Sequence, residues 1–166
     1  MNLDYLGDYY IWADNKLIDL LKTVSEEDFT KVPSKLQRSM RDLTEHMIST
    51  YEFIAEPFSM KKYSEILKNL SEKTKGELFR YWSSKVAHFK LEISKLQDLQ
   101  KVDLPESETS MIQVEPWILT LSYTDHNTYH RGQLITTYKL VTGNDEAVNT
   151  DFYNFVLEKE KDSENK

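Results

Sequence analysis

Phe79, Trp82, Val86, Phe89, Ile93 and Leu96 are separated by three, four, three, four and three residues. This alternation puts six large apolar side chains on one stripe of an α-helix, and no strand could gather them on one face. The spacing predicts a helix that begins after Ser71 and runs to about Gln100, roughly 40 Å long. Leu3, Leu6, Tyr10, Ala13, Leu17, Leu20 and Val24 repeat the pattern and predict a first helix over residues 3 to 24. Ser25 and Asp28 then stand in capping positions for a short turn, and Pro33 ends that connection.

Met40, Leu43, Met47, Thr50 and Ile54 give a shorter helix, capped by Ser39 with Asp42 in its first turn and ending near Ala55, ahead of Pro57. Residues 101 to 114 lack a helical period and read as a loop or small hairpin. Pro116 opens a fourth long helix that Gly143 can close. A short helix around Asp151 to Leu157 and a fraying charged tail are expected after it. Only four glycines and four prolines are present, too little turn material for an all-β fold. The expectation is an all-α four-helix bundle with a long crossover through residues 56 to 71, forming one domain over residues 1–160 with a charged tail at 161–166.

The balance of charge narrows the functional classes. A net charge of -7 with no local basic patch opposes direct binding to nucleic acid or to an anionic membrane surface. No apolar run is long enough for a membrane span, and the N-terminus lacks a basic segment followed by an apolar one, so a cytoplasmic protein is expected. There is no cysteine, so any metal would be held by His, Asp or Glu, and no protein thiol can act as a nucleophile.

The fourth helix departs from the pattern of the others. Its seam continues as Leu119, Tyr123, His126, His130, Gln133, Thr137 and Leu140, polar in the middle where the other helices are mainly apolar. His126 and His130, four apart on one face, can turn their ring nitrogens toward one cation. His46 is the candidate third ligand, about 60° off the apolar stripe of its helix. His88 lies about 200° around its helix from Val86 and points to water. The same histidine spacing also arises in chains that bind nothing, as exposed or hydrogen-bonded side chains. Three histidines and an open fourth position would make a catalytic sort of site, since a closed structural site normally has four protein ligands.

This arrangement resembles the DinB-like superfamily, the DinB/YfiT-like four-helix-bundle metalloproteins that include bacillithiol-transferase-like and other thiol-dependent enzymes. The residues that carry the resemblance are Trp12 and Ala13 in "YYIWADNKLIDLL", His46 in "SMRDLTEHM", and His126, His130, Arg131, Gly132 and Gln133 in "HNTYHRGQ". The resemblance implies that the three histidines hold one divalent ion, often zinc or nickel, with water completing its shell, and that two bundles pair as a homodimer. Asp14 and Asp125 stand where asparagine is usual in such proteins, which removes no ligand but alters a hydrogen bond or a substrate contact.

Around the histidines the sequence leaves several roles open. Gln133 can orient His130 or a bound water, or make an ordinary core hydrogen bond, and Asp42 can hold the outer nitrogen of His46 or serve only as a helix-start carboxylate. Gly132 suggests close approach of a neighbouring helix, and Arg131, about 100° from the ligand pair, suggests an ion pair at the surface or dimer face. Trp12, Trp82 and Tyr123 are expected in the core.

The leading expectation is a metal-dependent enzyme that activates a small thiol cosubstrate for transfer to an electrophile, because the chain has no sulfur nucleophile of its own. The same site could activate water for hydrolysis. A non-catalytic alternative is a metal- or ligand-binding stress-response module, or a dimeric interaction domain with a vestigial site.

Overall fold

The computed structural model describes residues 3–55, 60–105, 110–145 and 148–164. Within them are α1 (Leu3–Lys22), α2 (Glu26–Thr30), α3 (Met40–Ala55), α4 (Met60–Ser71), α5 (Lys75–Lys95), α6 (Pro116–Thr142) and α7 (Phe152–Glu164). A two-stranded antiparallel hairpin, β1 (Val102–Pro105) and β2 (Met111–Val114), pairs Val102 with Val114 and Pro105 with Met111. The all-α expectation holds, with the hairpin where a loop or hairpin was expected. Of the expected crossover, residues 60–71 form α4, while residues 56–59, including Pro57, lie outside the described residues, as do 106–109 of the hairpin loop. No helix among the described residues is long and apolar enough to cross a membrane.

Local chemistry explains the helix boundaries. Ser25 Oγ accepts the Asp28 N–H at 3.0 Å to start α2. Ser39 and Asp42 form a reciprocal cap on α3: Ser39 Oγ accepts the Asp42 N–H at 3.0 Å, and the Asp42 carboxylate accepts the Ser39 O–H at 2.7 Å. Thr74 and Glu77 make the same box on α5, which therefore starts at Lys75, a few residues later than its apolar spacing suggests. Its far end tightens into a 3-10 turn over Leu96–Asp98. Gly143 closes α6 in the left-handed region, with φ of 69°, and donates its N–H to the Lys139 carbonyl at 3.0 Å.

The bundle is a ring in which α1 packs on α5, α5 on α3, α3 on α6 and α6 on α1. Six of the seven predicted seam residues of α1 and its exit, Leu3, Leu6, Tyr10, Ala13, Leu17 and Val24, are buried, as are Phe79, Trp82, Val86, Phe89 and Ile93 of α5. α7 returns to α1, where Phe152 and Phe155 pack edge-on against Tyr5 and Phe152 does so against Tyr9. It continues seven residues past Leu157, where fraying was expected, because its polar side chains are gripped. Glu158 accepts from Trp12 Nε1 and from Lys16 Nζ, each at 2.7 Å, and Lys159 donates to Asp8 at 2.7 Å.

α6 is rotated by about one residue from the stripe its sequence suggests. Buried on it are Thr120, Asn127, His130, Arg131, Leu134, Thr137 and Tyr138, whereas His126 and Leu140 are exposed. The cause is a charged knot in the core. Asp14, with no exposed surface, accepts the Tyr51 hydroxyl at 2.6 Å and the Trp82 indole N–H at 2.8 Å, and lies 3.4 Å from Arg131 Nη1. Arg131 Nη2 donates to Tyr9 Oη at 2.7 Å and Thr128 Oγ at 2.9 Å. One carboxylate thus connects α1, α3, α5 and α6. Arg131 is an ion-pair residue in the interior, at 1% exposure, and not the surface or dimer-facing residue that its angle from the histidines suggests.

Gly132 also differs from expectation. A Cβ built there meets nothing within 4 Å, so no helix approaches it; the tight contact is at Gly7, where a Cβ would come 2.6 Å from Lys90 Cγ. Trp82 is fully buried, and Trp12 and Tyr123 pack half-buried against the core.

Both the knot and the glycine can be tested by stability in urea. Asp14→Ala should cost about 3 to 5 kcal/mol, because it strands a buried guanidinium, and a double apolar replacement of Asp14 and Arg131 should recover much of that loss. Recovery absent from the double variant would show that the knot acts through packing and not charge. Gly132→Ala should instead stabilise the chain by about 0.5 to 1 kcal/mol, and a destabilised variant would reveal a neighbour at this position.

Candidate metal centre

The knot sets the position of the histidines. With Arg131 turned inward, the preceding His130 sits at the edge of the core, at 7% exposure, and His126, one turn earlier, opens to solvent. His46 reaches them from α3 and is half-buried. One ring nitrogen from each of the three lies within 4.8 Å of those of the others. His46 Nε2 and His130 Nε2 are 3.0 Å apart, and the ring centroids are separated by 4.4 Å for His46–His130, 4.5 Å for His126–His130 and 5.3 Å for His46–His126. A tetrahedral ion with metal–nitrogen bonds of about 2.0 to 2.1 Å would hold its nitrogens about 3.3 Å apart, within the range spanned here. Three histidines close together in this way could bind a metal ion.

The rings are also prepared electronically. Gln133 Nε2 donates to Tyr129 Oη at 2.8 Å, which leaves Gln133 Oε1 facing His130 Nδ1, also at 2.8 Å. An amide oxygen there requires the proton on Nδ1, so the Nε2 lone pair faces the cluster. Burial pushes His46 down to about 4, helped by the neighbouring His130, Arg38 and His126. Burial also lowers His126, against the pull of Asp125, and lowers His130, against its hydrogen bond to Gln133. Three neutral imidazoles at neutral pH form a set of electron-pair donors and not a cluster of charges.

Asp42 is engaged in capping α3 through Ser39, which is the helix-start role of the two that its sequence position allows. His88 is half-exposed on α5, 3.7 Å from Glu92, and stands outside the cluster. Two features around the cluster escape the sequence reading. Asp14, one of the departures from the usual pattern, is the partner of Arg131, a pairing between residues 117 apart that no local spacing reveals. Arg38 acts electrostatically on both His46 and His130, and its position just ahead of a helix carries no distinguishing signal.

No curated protein matches the chain in sequence. Among solved structures, it resembles the crystal structure of a protein from Exiguobacterium sibiricum 255-15 described as a candidate DinB family member, with a TM-score of 0.62 and 14% identity over 91% of this chain and 99% of that one. At that identity the likeness speaks for the fold alone. The sequence model of the DinB family matches residues 1–156, from the first helix through the histidine motif and into α7. The chain therefore belongs to the DinB family.

Proposed function

We propose that His46, His126 and His130 hold one divalent ion, zinc or nickel, and that the protein is an enzyme transferring a small-molecule thiol to an electrophile. The observation that supports this most is the convergence of three neutral imidazole nitrogens within 4.8 Å at the edge of the bundle. The donor set suits a catalytic ion, because it supplies three protein ligands and leaves a position open toward solvent on the His126 side. A bound ion would lower the pKa of an incoming thiol and favour the thiolate. The sulfur must arrive with a cosubstrate, since the chain contains no cysteine.

The protein's own groups have definable parts in this reading. Gln133 holds the His130 ring and its tautomer, and Tyr129 in turn holds the Gln133 amide. The buried Asp14–Arg131 pair fixes the rotation of α6, and so the direction from which His126 and His130 approach. Tyr129 is 63% exposed beside the cluster and offers an aromatic wall to a small substrate. On the family resemblance, the protein is further proposed to act in the cytoplasm as a homodimer.

Protein purified without an affinity tag or chelator should carry about one equivalent of metal by elemental analysis. His46→Ala, His126→Ala and His130→Ala should each lose most of it, together with metal-dependent turnover of thiols with alkyl or aryl halides. Turnover that survives chelation would remove the metal from the mechanism, and turnover of esters without any thiol would favour activation of water instead.

Acid should act on the metal-free fold in a defined direction. In the fold His46, His126 and His130 bind protons less readily than in the unfolded chain, where such groups titrate near 6.5, and His46 is lowered to about 4. The unfolded state therefore takes up more protons across that window, and stability should fall as pH drops from about 6.5 toward 4. Urea unfolding of the metal-free protein at several pH values should show this slope, reduced in His46→Gln. An unchanged slope in that variant would mean that other groups cause the acid sensitivity.

A further inference from the structure

The outward face of α6 lies open, although its composition does not suit water. Leu121, Tyr129 and Leu140 are each more than half exposed on it. Contiguous apolar surface of this kind marks a place where another molecule docks. At the middle of the face is Gly132, exposed and with nothing within 4 Å of a Cβ built there. Glycine weakens a helix interior, and neither a positive φ nor a neighbour in its own chain calls for it here. Thr128 and Thr136, one turn to either side, have their hydroxyls engaged within the chain. Thr136 donates to the Gly132 carbonyl at 2.9 Å, and Thr128 accepts from Arg131 at 2.9 Å. The centre of the face is therefore small and makes few demands for water.

The charges on this face are arranged about the same point. Asp125 stands seven residues before Gly132 and Lys139 seven residues after it. Each lies about 10 Å along the axis from the glycine and about 20° around from it, on opposite sides. Among the described residues the side chains of Asp125 and Lys139 make no hydrogen bond or ion pair. Opposite charges at equal distances from a small centre make the face complementary to itself. A two-fold axis through Gly132 sets two copies of α6 antiparallel and brings Asp125 of each to Lys139 of the other, so the pairing is made twice. A left-handed crossing of about 20° keeps residues seven apart in line along the contact. A parallel pairing would set like charges against each other at both places.

We propose that the outward face of α6, centred on Gly132, binds the same face of a second copy of this chain in antiparallel register, with Asp125 of each copy paired to Lys139 of the other. The inference rests on the homodimer reading above and adds to it the face, the register and the pairing. Tyr129 borders this face, and its ring centroid lies 5.0 Å from that of His130. A second copy seated here forms one side of the approach to the histidines. The gain in stability expected for Gly132→Ala is a property of the separated chain.

Sedimentation equilibrium on charge-reversed variants tests the pairing. The native chain should dimerise, and Asp125→Lys and Lys139→Asp should each raise the dissociation constant about tenfold or more, because each sets like charges together at both symmetric contacts. The doubly reversed chain, carrying both substitutions, should return to within about threefold of the native value. An equimolar mixture of the two single variants should form a mixed dimer, since every contact in it joins opposite charges again. Unchanged circular dichroism in the single variants would show that the folds are intact. A native dimer that neither substitution weakens would overturn this face while leaving the homodimer reading in place. Single variants that weaken the dimer without recovery in the double variant or the mixture would overturn the pairing and its register. A native chain that stays monomeric at about 100 µM would overturn the homodimer reading and this inference with it.

Discussion

Asp14 and Arg131 form an ion pair inside the bundle, at 0% and 1% exposure, and the arrangement of the four main helices depends on how that pair is satisfied. A buried carboxylate needs donors from several directions, and here they come from Tyr51 on α3, Trp82 on α5 and Arg131 on α6. Complete burial raises the Asp14 carboxyl above its ordinary value, and these partners pull it back. Such a pair is not in itself an efficient source of stability, because desolvation consumes much of the attraction. Its specificity is directional. An apolar seam tolerates a helix turned by some tens of degrees, whereas a guanidinium that must meet Asp14 and Tyr9 together does not.

That directionality accounts for the contrast between α6 and its neighbours. The rotation of α1 and α5 follows from apolar spacing, and a reader of the sequence finds it without help. On α6 the buried stripe contains Asn127 and Arg131, which look like surface residues in a linear reading. The partner that makes Arg131 a core residue lies 117 positions away on α1. Periodicity registers only local contrast between polar and apolar residues, so a stripe built from paired polar groups is invisible to it. The convergence of the histidine pair was legible because spacing of four on one helix is local, and that of His46 because it lies on the flank of a clear apolar stripe. The extension of α7 was missed for the same reason as Arg131: Glu158 and Lys159 read as tail charges until their partners on α1 are known.

A site made only of imidazoles has an additional requirement, which is to keep three similar groups close without mutual repulsion. Burial does this by making the neutral form the stable one, most strongly at His46. The Gln133 oxygen then faces the His130 Nδ1–H, and the Gln133 amide N–H donates to Tyr129. These are second contacts that act through the first, and all are placed on one turn of α6. Precision of this kind needs a rigid element, and a 27-residue helix locked in rotation provides it.

The knot and the cluster are therefore linked through adjacent residues of one helix. His130 and Arg131 project about 100° apart, so Arg131 can be in the core only if His130 is at its margin and His126 near water. Had α6 followed the stripe that its sequence suggests, both histidines would face the core, where an incoming ligand could not reach them. With Arg131 buried, His126 lies at the surface, and the three histidines converge at the edge of the core. The departure from local pattern on α6 thus leaves His126 at the surface beside His130, and Asp14 is the partner that holds Arg131 inside.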